Sequence, residues 1–402
     1  MAQQTYIAPA LLERFQRNGL IAASVGFVLT FLSIVLVSPT QFFHSWLLGF
    51  IVFLGLSAGS LALLMLQYVS GGAWGVVTRR IFEAGSRLLP FTALLFIPVL
   101  LGMHDIYRWT DPAEVAKSAI IADKTGFLNA PFWIIRAIFY FALWITFATV
   151  LSRYSKNMEE AGSAFDEGRA WKWSRKLENF SGGGLLFFAI TMSLAAVDWL
   201  MSLAPEWYST IYGFIILVGQ GIIVLCFAIM VLVMVSRTEP MASVIKPVHL
   251  HDLGKLLFAF NFLWGYLEFS QWIITYSGNL PDEIVWYHHR IRGGWEYVAY
   301  FVIFIHFVLP FAILLSRDLK RNGRRLMIVA GWLFIMRIVD LYWLIEPNWH
   351  REDFFFSWVD IAAPLGFVGL FIYLFVWQYK KRQIMPIGEP EFELALHPKG
   401  AH

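Results

Sequence analysis

The chain has 402 residues, of which 58% are hydrophobic, 17% aromatic and only 15% charged, with a formal net charge of +3. Soluble domains carry about 25% charged residues, so a surface that faces water on all sides is excluded. A charge this small gives no electrostatic footing for nucleic acid.

Residues 1–18 include Glu13, Arg14 and Arg17 and lead into a first apolar run. No small-residue cleavage site follows Val37, so this run is read as a retained span and not as a signal peptide. A bilayer core takes about 20 apolar residues in a helix. Ten segments meet or approach that length: 20–37, 46–69, 88–103, 133–151, 184–203, 211–235, 253–274, 298–315, 326–345 and 356–377. Strand-like alternation is missing, which disfavours a β-barrel. The expectation is an all-α integral membrane protein with about ten transmembrane helices. The third segment is the shortest and reaches toward Tyr107. Gly55 and Gly59 in the second have the spacing of a close helix contact. Residues 158–176 mix acids, bases, Trp171 and Trp173 and read as a short interfacial helix. Cys226, in the sixth segment, is the only cysteine. No internal disulfide can form, and an iron–sulfur cluster, which takes about four thiolates, needs another chain. No C-x-x-C-H sequence is present to attach a c-type haem.

Lysine and arginine crowd into alternate loops: Arg14 and Arg17; Arg79, Arg80 and Arg87; six between 153 and 176; Arg237 and Lys246; five between 317 and 325; and Lys380, Lys381, Arg382 and Lys399. The opposite loops hold only Arg108, Lys117, Lys124, Arg290, Arg292 and Arg351. Positive charge marks the cytoplasmic side, so both termini are expected there. Two longer outer loops, 105–131 and 277–295, form either a partner-docking cap or ordinary connections.

An internal echo organises the spans. Span five ends Val197-Asp198 and span nine Val339-Asp340; in each, Pro follows seven residues after the Asp and Trp nine after it. Four spans separate the two, so the repeat is parallel and not inverted. The expected organisation is an N-terminal tail and flanking helix (1–43), a first four-helix bundle (44–207), a second (208–350), and a flanking helix with a tail (351–402).

Ionisable groups inside spans cost about 2.5–3.5 kcal/mol on insertion scales and are expected to face the bundle interior. They are Arg136, Asp198, Lys255, Glu268, His306, Arg337, Asp340 and Asp360. Lys255 can snorkel to the cytoplasmic interface. Asp198 and Asp340 each lie about five residues, or about 8 Å, from the outer end of a span. Arg136, Arg337 and Asp360 lie at similar depth, Glu268 is slightly deeper, and His306 is near mid-membrane. His104 and Asp105 close span three on the same side. Arg337 and Asp340 are spaced to pair, and Glu268 and Gln271 share a face. Either these are ion pairs that fix helix register, or they form a proton path or quinol site in the outer half. The inner half offers Gln67, Tyr68, Thr191, Ser193, Gln220 and Asn261, which store no proton easily. His306 is the only mid-span histidine, which argues against bis-histidine haem, and no metal or catalytic residue is assigned.

Ten spans with these motifs resemble the polysulfide-reductase/NrfD-type membrane subunits, and among them the second such subunit of alternative complex III, a quinol:cytochrome c or other-acceptor oxidoreductase. The resemblance lies in 55–80 (GLSAGSLALLMLQYVSGGAWGVVTRR), His104-Asp105, 198–213 (DWLMSLAPEWYSTIYG), and 258–281 with Trp264, Gln271 and the Tyr-Ser-Gly-Asn-Leu-Pro ending. It implies two four-helix bundles plus two flanking helices in a bacterial cytoplasmic membrane. It also implies partners: a homologous NrfD-type subunit, an iron–sulfur/molybdopterin-like subunit and c-type cytochromes, which carry the clusters and haem. This chain would bind no cofactor alone, with quinol or quinone as the one small molecule it could meet. The residues proposed for quinone binding or a proton path are His104, Asp105, Arg136, Asp198, Glu268, Gln271, His306, Arg337, Asp340, Tyr342 and Asp360. Whether this chain or its sister holds the working quinol site stays open. Secondary transport and a purely structural anchor are the competing functions.

Overall fold

The computed structural model describes residues 10–164, 166–239, 241–384, 389–392 and 396. Residues 1–9 and 397–402, including the lysine at 399 expected on the cytoplasmic side, lie outside the described residues. The described chain is helical, with no strand among the described residues. Its long helices are α1 (Ala10–Leu36), α2 (Pro39–Ser70), α3 (Ala73–Leu101, with a break at 87–88 and a kink at 96), α4 (Ala130–Ser163), α5 (Glu167–Trp199), α6 (Tyr212–Val235), α7 (Pro247–Gly278), α8 (Trp295–Leu314), α9 (Gly323–Ile345) and α10 (Val359–Tyr379). Among the described residues nine are long and apolar enough to cross a membrane. The tenth, α7, is 32 residues long but more polar. Isolated apolar side chains such as Ile21, Val28, Phe31 and Val35 on α1 face outward, as lipid contact requires.

Local chemistry sets the helix ends. Ser38, Asn129, Asp166 and Asn322 cap α2, α4, α5 and α9 by accepting from a backbone N–H three residues on, the role these side chains play best. Proline stands in the first turn of α2, α4 and α7, where its missing donor costs nothing. Asn279 ends α7 in the left-handed conformation at φ 45°.

The buried helices α2 and α6 form the centre. α2 packs against α1, α3, α5, α6, α9 and α10, while α6 packs against α2, α5, α7 and α9. α4 lies on α3 and α5, and α8 on α7 and α9. The two sets of four therefore meet along α2, α5 and α6. A Cβ on Gly59 would stand 2.9 Å from the Gln220 carbonyl, so the glycine spacing of α2 does mark a close contact, with α6. The two flanking helices pack on each other, which the sequence did not indicate. A Cβ on Gly26 of α1 would stand 2.3 Å from the Gly366 nitrogen of α10, so the backbones touch.

Several expectations are corrected. Residues 158–176 are not a separate interfacial helix: α4 runs on to Ser163 and α5 starts at Glu167, which leaves a tight hairpin. Arg79 and Arg80 are not loop residues. They lie on α3, 1% and 2% exposed. Arg79 pairs with Glu389 and, at 2.7 Å, with Glu391; Arg80 pairs with Glu83 at 2.9 Å and Glu159 at 3.0 Å; Arg382 pairs with Glu83. This network ties the C-terminal segment to α3 and α4 at the end where the tail lies. That end is therefore richer in buried acids than the sequence suggested. At the other end the long loops are short helices packed on each other. Arg108 reaches Glu114 at 2.8 Å and Glu206 at 3.1 Å, and Trp207 stacks on Trp286 at 4.5 Å.

Gly26→Leu should separate α1 from α10 and lower stability by about 1–3 kcal/mol, the usual cost of overpacking. Gly182→Ala, where a Cβ meets nothing within 4 Å, should instead stabilise by up to about 1 kcal/mol through helix propensity. Thermal unfolding of the detergent-solubilised chain measures both signs.

Candidate functional site

The echoed aspartates have opposite fates. α4 presents Trp133, Arg136, Tyr140 and Trp144 at helical spacing toward α5. Arg136 grips Asp198 bidentately, Nη2 to Oδ1 at 2.6 Å and Nε to Oδ2 at 2.8 Å, and the Tyr140 hydroxyl donates to Oδ2 at 2.9 Å. Trp133 donates to the Asp198 carbonyl at 2.8 Å and Trp144 to the Thr191 hydroxyl at 3.0 Å. The Arg136 guanidinium lies over the Phe127 and Phe132 rings. Both carboxylate oxygens are engaged and the aspartate is fully enclosed. A bidentate arginine pair is the strong form of this interaction, so Asp198 is a lock between α4 and α5.

His104 and Asp105, expected to close span three on the same side, are exposed just past the end of α3. His104 Nδ1 faces the Thr110 hydroxyl at 3.2 Å, and Asp105 accepts from Thr40 at 3.0 Å. Asp360 forms a third separate group: Gln41 at 2.9 Å, Ser45 at 2.5 Å and the Ser357 amide at 3.0 Å hold it against α2. Tyr342 donates to the Phe355 carbonyl and anchors the segment before α10. The single outer-half cluster expected from the sequence is thus divided, because the depth of a residue in a span does not say which neighbour its helix face meets.

The second half keeps an open cluster. Arg337 donates to Asp340 Oδ2, while Oδ1 is enclosed without a partner. α7 presents Asn261, Trp264, Glu268, Gln271 and Thr275 along one face, spaced three and four apart. Gln271 is held by Ser209 and, at 3.1 Å, by Thr275. The Asn261 Oδ1, Trp264 Nε1 and Glu268 Oε1 atoms are enclosed and unpartnered. Asp340, Arg337 and Arg290 are the charges acting on Glu268. His306 stands on a π-helical turn, Val302–Val308, just before Pro310. Such turns recur at functional sites. Its ring lies 4.3 Å from that of Trp264, and neither nitrogen has a partner. Arg337 packs on Gly219, where a Cβ would stand 2.1 Å from the guanidinium carbon. Beside it lies a void of about 10 Å³ lined by Gly55, Gln220 and Leu341, the size of a single water.

Toward the loop end, Arg290 is 1% exposed. It donates to the Trp286 and Leu344 carbonyls at 3.0 and 2.9 Å and to Asn348 at 2.9 Å, with no carboxylate paired to it among the described residues. Arg290, His289, Glu206 and Arg351 line a vestibule of about 230 Å³. Sequence reading missed Asn261, Trp264, Tyr287 and Arg290 as members of this system. The three–four spacing on α7 was the available signal for the first two; Tyr287 and Arg290 had none.

A double-mutant cycle of Arg136→Gln and Asp198→Asn should show strong coupling. Each single change leaves a buried group unpaired and should cost about 3–5 kcal/mol, and the double should cost less than the sum. In the vestibule, burial first, then the Arg351 and Arg290 charges, lower the His289 pKa from 6.5 to about 4. The folded state therefore binds fewer protons than the unfolded state between those values, and stability falls as pH drops from 6.5 toward 4. His289→Gln should flatten that slope in thermal scans. Compared with protein families and with curated proteins, the chain matches none, so the case for its function rests on its own residues.

Proposed function

We propose that the chain is a membrane subunit of a quinol:electron-acceptor oxidoreductase of the alternative complex III kind. In this reading its second helical half conducts protons coupled to electron transfer in partner subunits. The observation that carries the proposal is the set of enclosed, unpartnered polar atoms on Glu268, Asp340 and His306 around Arg337. Unpaired ionisable groups in a membrane interior are costly, and a proton path is one of their main uses. A carboxyl oxygen without a donor can receive a proton. Arg337 compensates the charge left when the proton moves on, and Tyr287 and Arg290 continue the polar line to the vestibule.

The motifs in 55–80, 198–213 and 258–281 supply the rest of the reading: a homologous NrfD-type subunit beside this one, and iron–sulfur and c-type haem centres in other subunits. Quinol would be oxidised near the loop end, and the protons it releases would pass along the second half.

The test uses the intact assembly in liposomes, with quinol oxidation and proton release followed together. Glu268→Gln and Asp340→Asn should lower the share of protons that appears on the loop side per quinol oxidised, with quinol turnover kept. Asp198→Asn should act on stability alone. If turnover falls while the proton ratio holds, Glu268 belongs to the quinol site instead. If both variants behave as the parent, the proton-path reading is wrong.

A further inference from the structure

Besides this system, a group of side chains at the loop end carries enclosed, unpartnered polar atoms and has no place in the proton path. His44 near the start of α2, Glu346 in the turn after α9, and His350 place one ligand-type atom each within 4.8 Å of one another. Glu346 is fully enclosed, and neither of its oxygens has a hydrogen-bond partner. His44 Nδ1 and His350 Nε2 are likewise enclosed and unpartnered. Four orphaned polar atoms on three residues in one place form an unfinished site, because buried polar atoms almost always find partners.

The surroundings orient these groups. His44 Nε2 lies 3.1 Å from the Asp105 carbonyl. A donor there fixes the tautomer and leaves Nδ1 with its lone pair free, the support that metal-bound histidines receive. Trp349 stacks on the His44 ring at 3.6 Å and 7°, and Phe355 stacks on His350 at 3.9 Å. Asp360 is close enough to act on Glu346, so a second acid adds negative potential. The Trp295 indole donates to the His350 carbonyl at 2.9 Å, holding the backbone in place.

We propose that His44, Glu346 and His350 bind a divalent transition-metal ion of the zinc class. Two imidazoles and one carboxylate with a fourth position left for water is a ligand set zinc accepts. Bonds of about 2.0–2.1 Å put tetrahedral ligands about 3.3 Å apart, so binding closes these separations by at most about 1.5 Å from the 4.8 Å within which the atoms lie. The ion ties α2 to the α9 turn and to the segment leading into α10. In the echo, Ala204 stands where Glu346 does, so the first half has no equivalent acid. This site stands independently of the proton-path reading.

The full chain in detergent is stripped with a chelator, equilibrated with Zn²⁺ alone and assayed for bound metal by mass spectrometry. We expect one zinc per chain, a rise in melting temperature on binding, and visible d–d bands of a four-coordinate ion when Co²⁺ replaces it. Glu346→Gln should melt like the parent without metal and lose zinc affinity by more than the about 10–100-fold that follows loss of an outer-shell partner. His350→Asn, at a half-buried position, should do the same and serves if Glu346→Gln does not fold. A parent chain that retains no zinc, or variants that bind it equally, would overturn the assignment.

Discussion

Every polar atom carried into an apolar medium must find a partner or remain a liability, and this constraint sorts the two halves of the molecule. At the echoed aspartate of the first half it is met in full. Asp198 receives three donors, two from Arg136 and one from Tyr140, and the indoles of Trp133 and Trp144 each reach an oxygen. In the second half the corresponding aspartate draws its cation from its own helix, one turn earlier, and one oxygen is left over. An arginine delivered from a neighbouring helix can approach a carboxylate in the fork geometry that engages both oxygens. Here the one delivered along the same helix meets a single oxygen. A repeat in sequence thus becomes a difference in chemistry: a lock on one side, an open acid on the other.

Packing protects that difference. α2 and α6 approach closely at Gly59, and Gly219 leaves room for the Arg337 guanidinium. The central seam is therefore narrow, and the void beside Arg337 is only the size of one water. The open groups are consequently isolated from the locked ones. At the tail end the charges are neutralised in a network that includes Arg79, Arg80, Glu83 and Glu389. Burial raises the pKa of Glu389, and the neighbouring arginines oppose that rise. At the loop end the vestibule is lined by Arg290, Arg351 and His289, a predominantly basic set. The open acids lie between this ionic network and a vestibule lined mostly by basic side chains.

Much of this was legible in the residues themselves. Span count and helical class follow from the run lengths, because a lipid-facing helix must be apolar for about 20 residues whatever it packs against. The Arg337–Asp340 pair follows from helix geometry, and Gly55 and Gly59 announced a close contact. Long-range pairing was not legible. Nothing in the order of residues says that Arg136 meets Asp198, that Arg79 meets Glu389, or that His44 lies beside Glu346 and His350. The interfacial helix expected over 158–176 failed because Trp171 and Trp173 sit on a helix continuous with the span.

What the sequence determined by itself is local and one-dimensional: which segments are apolar enough to enter the bilayer, where caps and prolines begin and end them, and which acids and bases enter with them. What only the tertiary structure decided is which of those groups are neutralised. That depends on the rotation of each helix about its axis and on which neighbour its polar face meets. Those angles are set by side-chain packing across the whole bundle, so residues with the same spacing and depth end as a closed ion pair in one half and an open acid in the other.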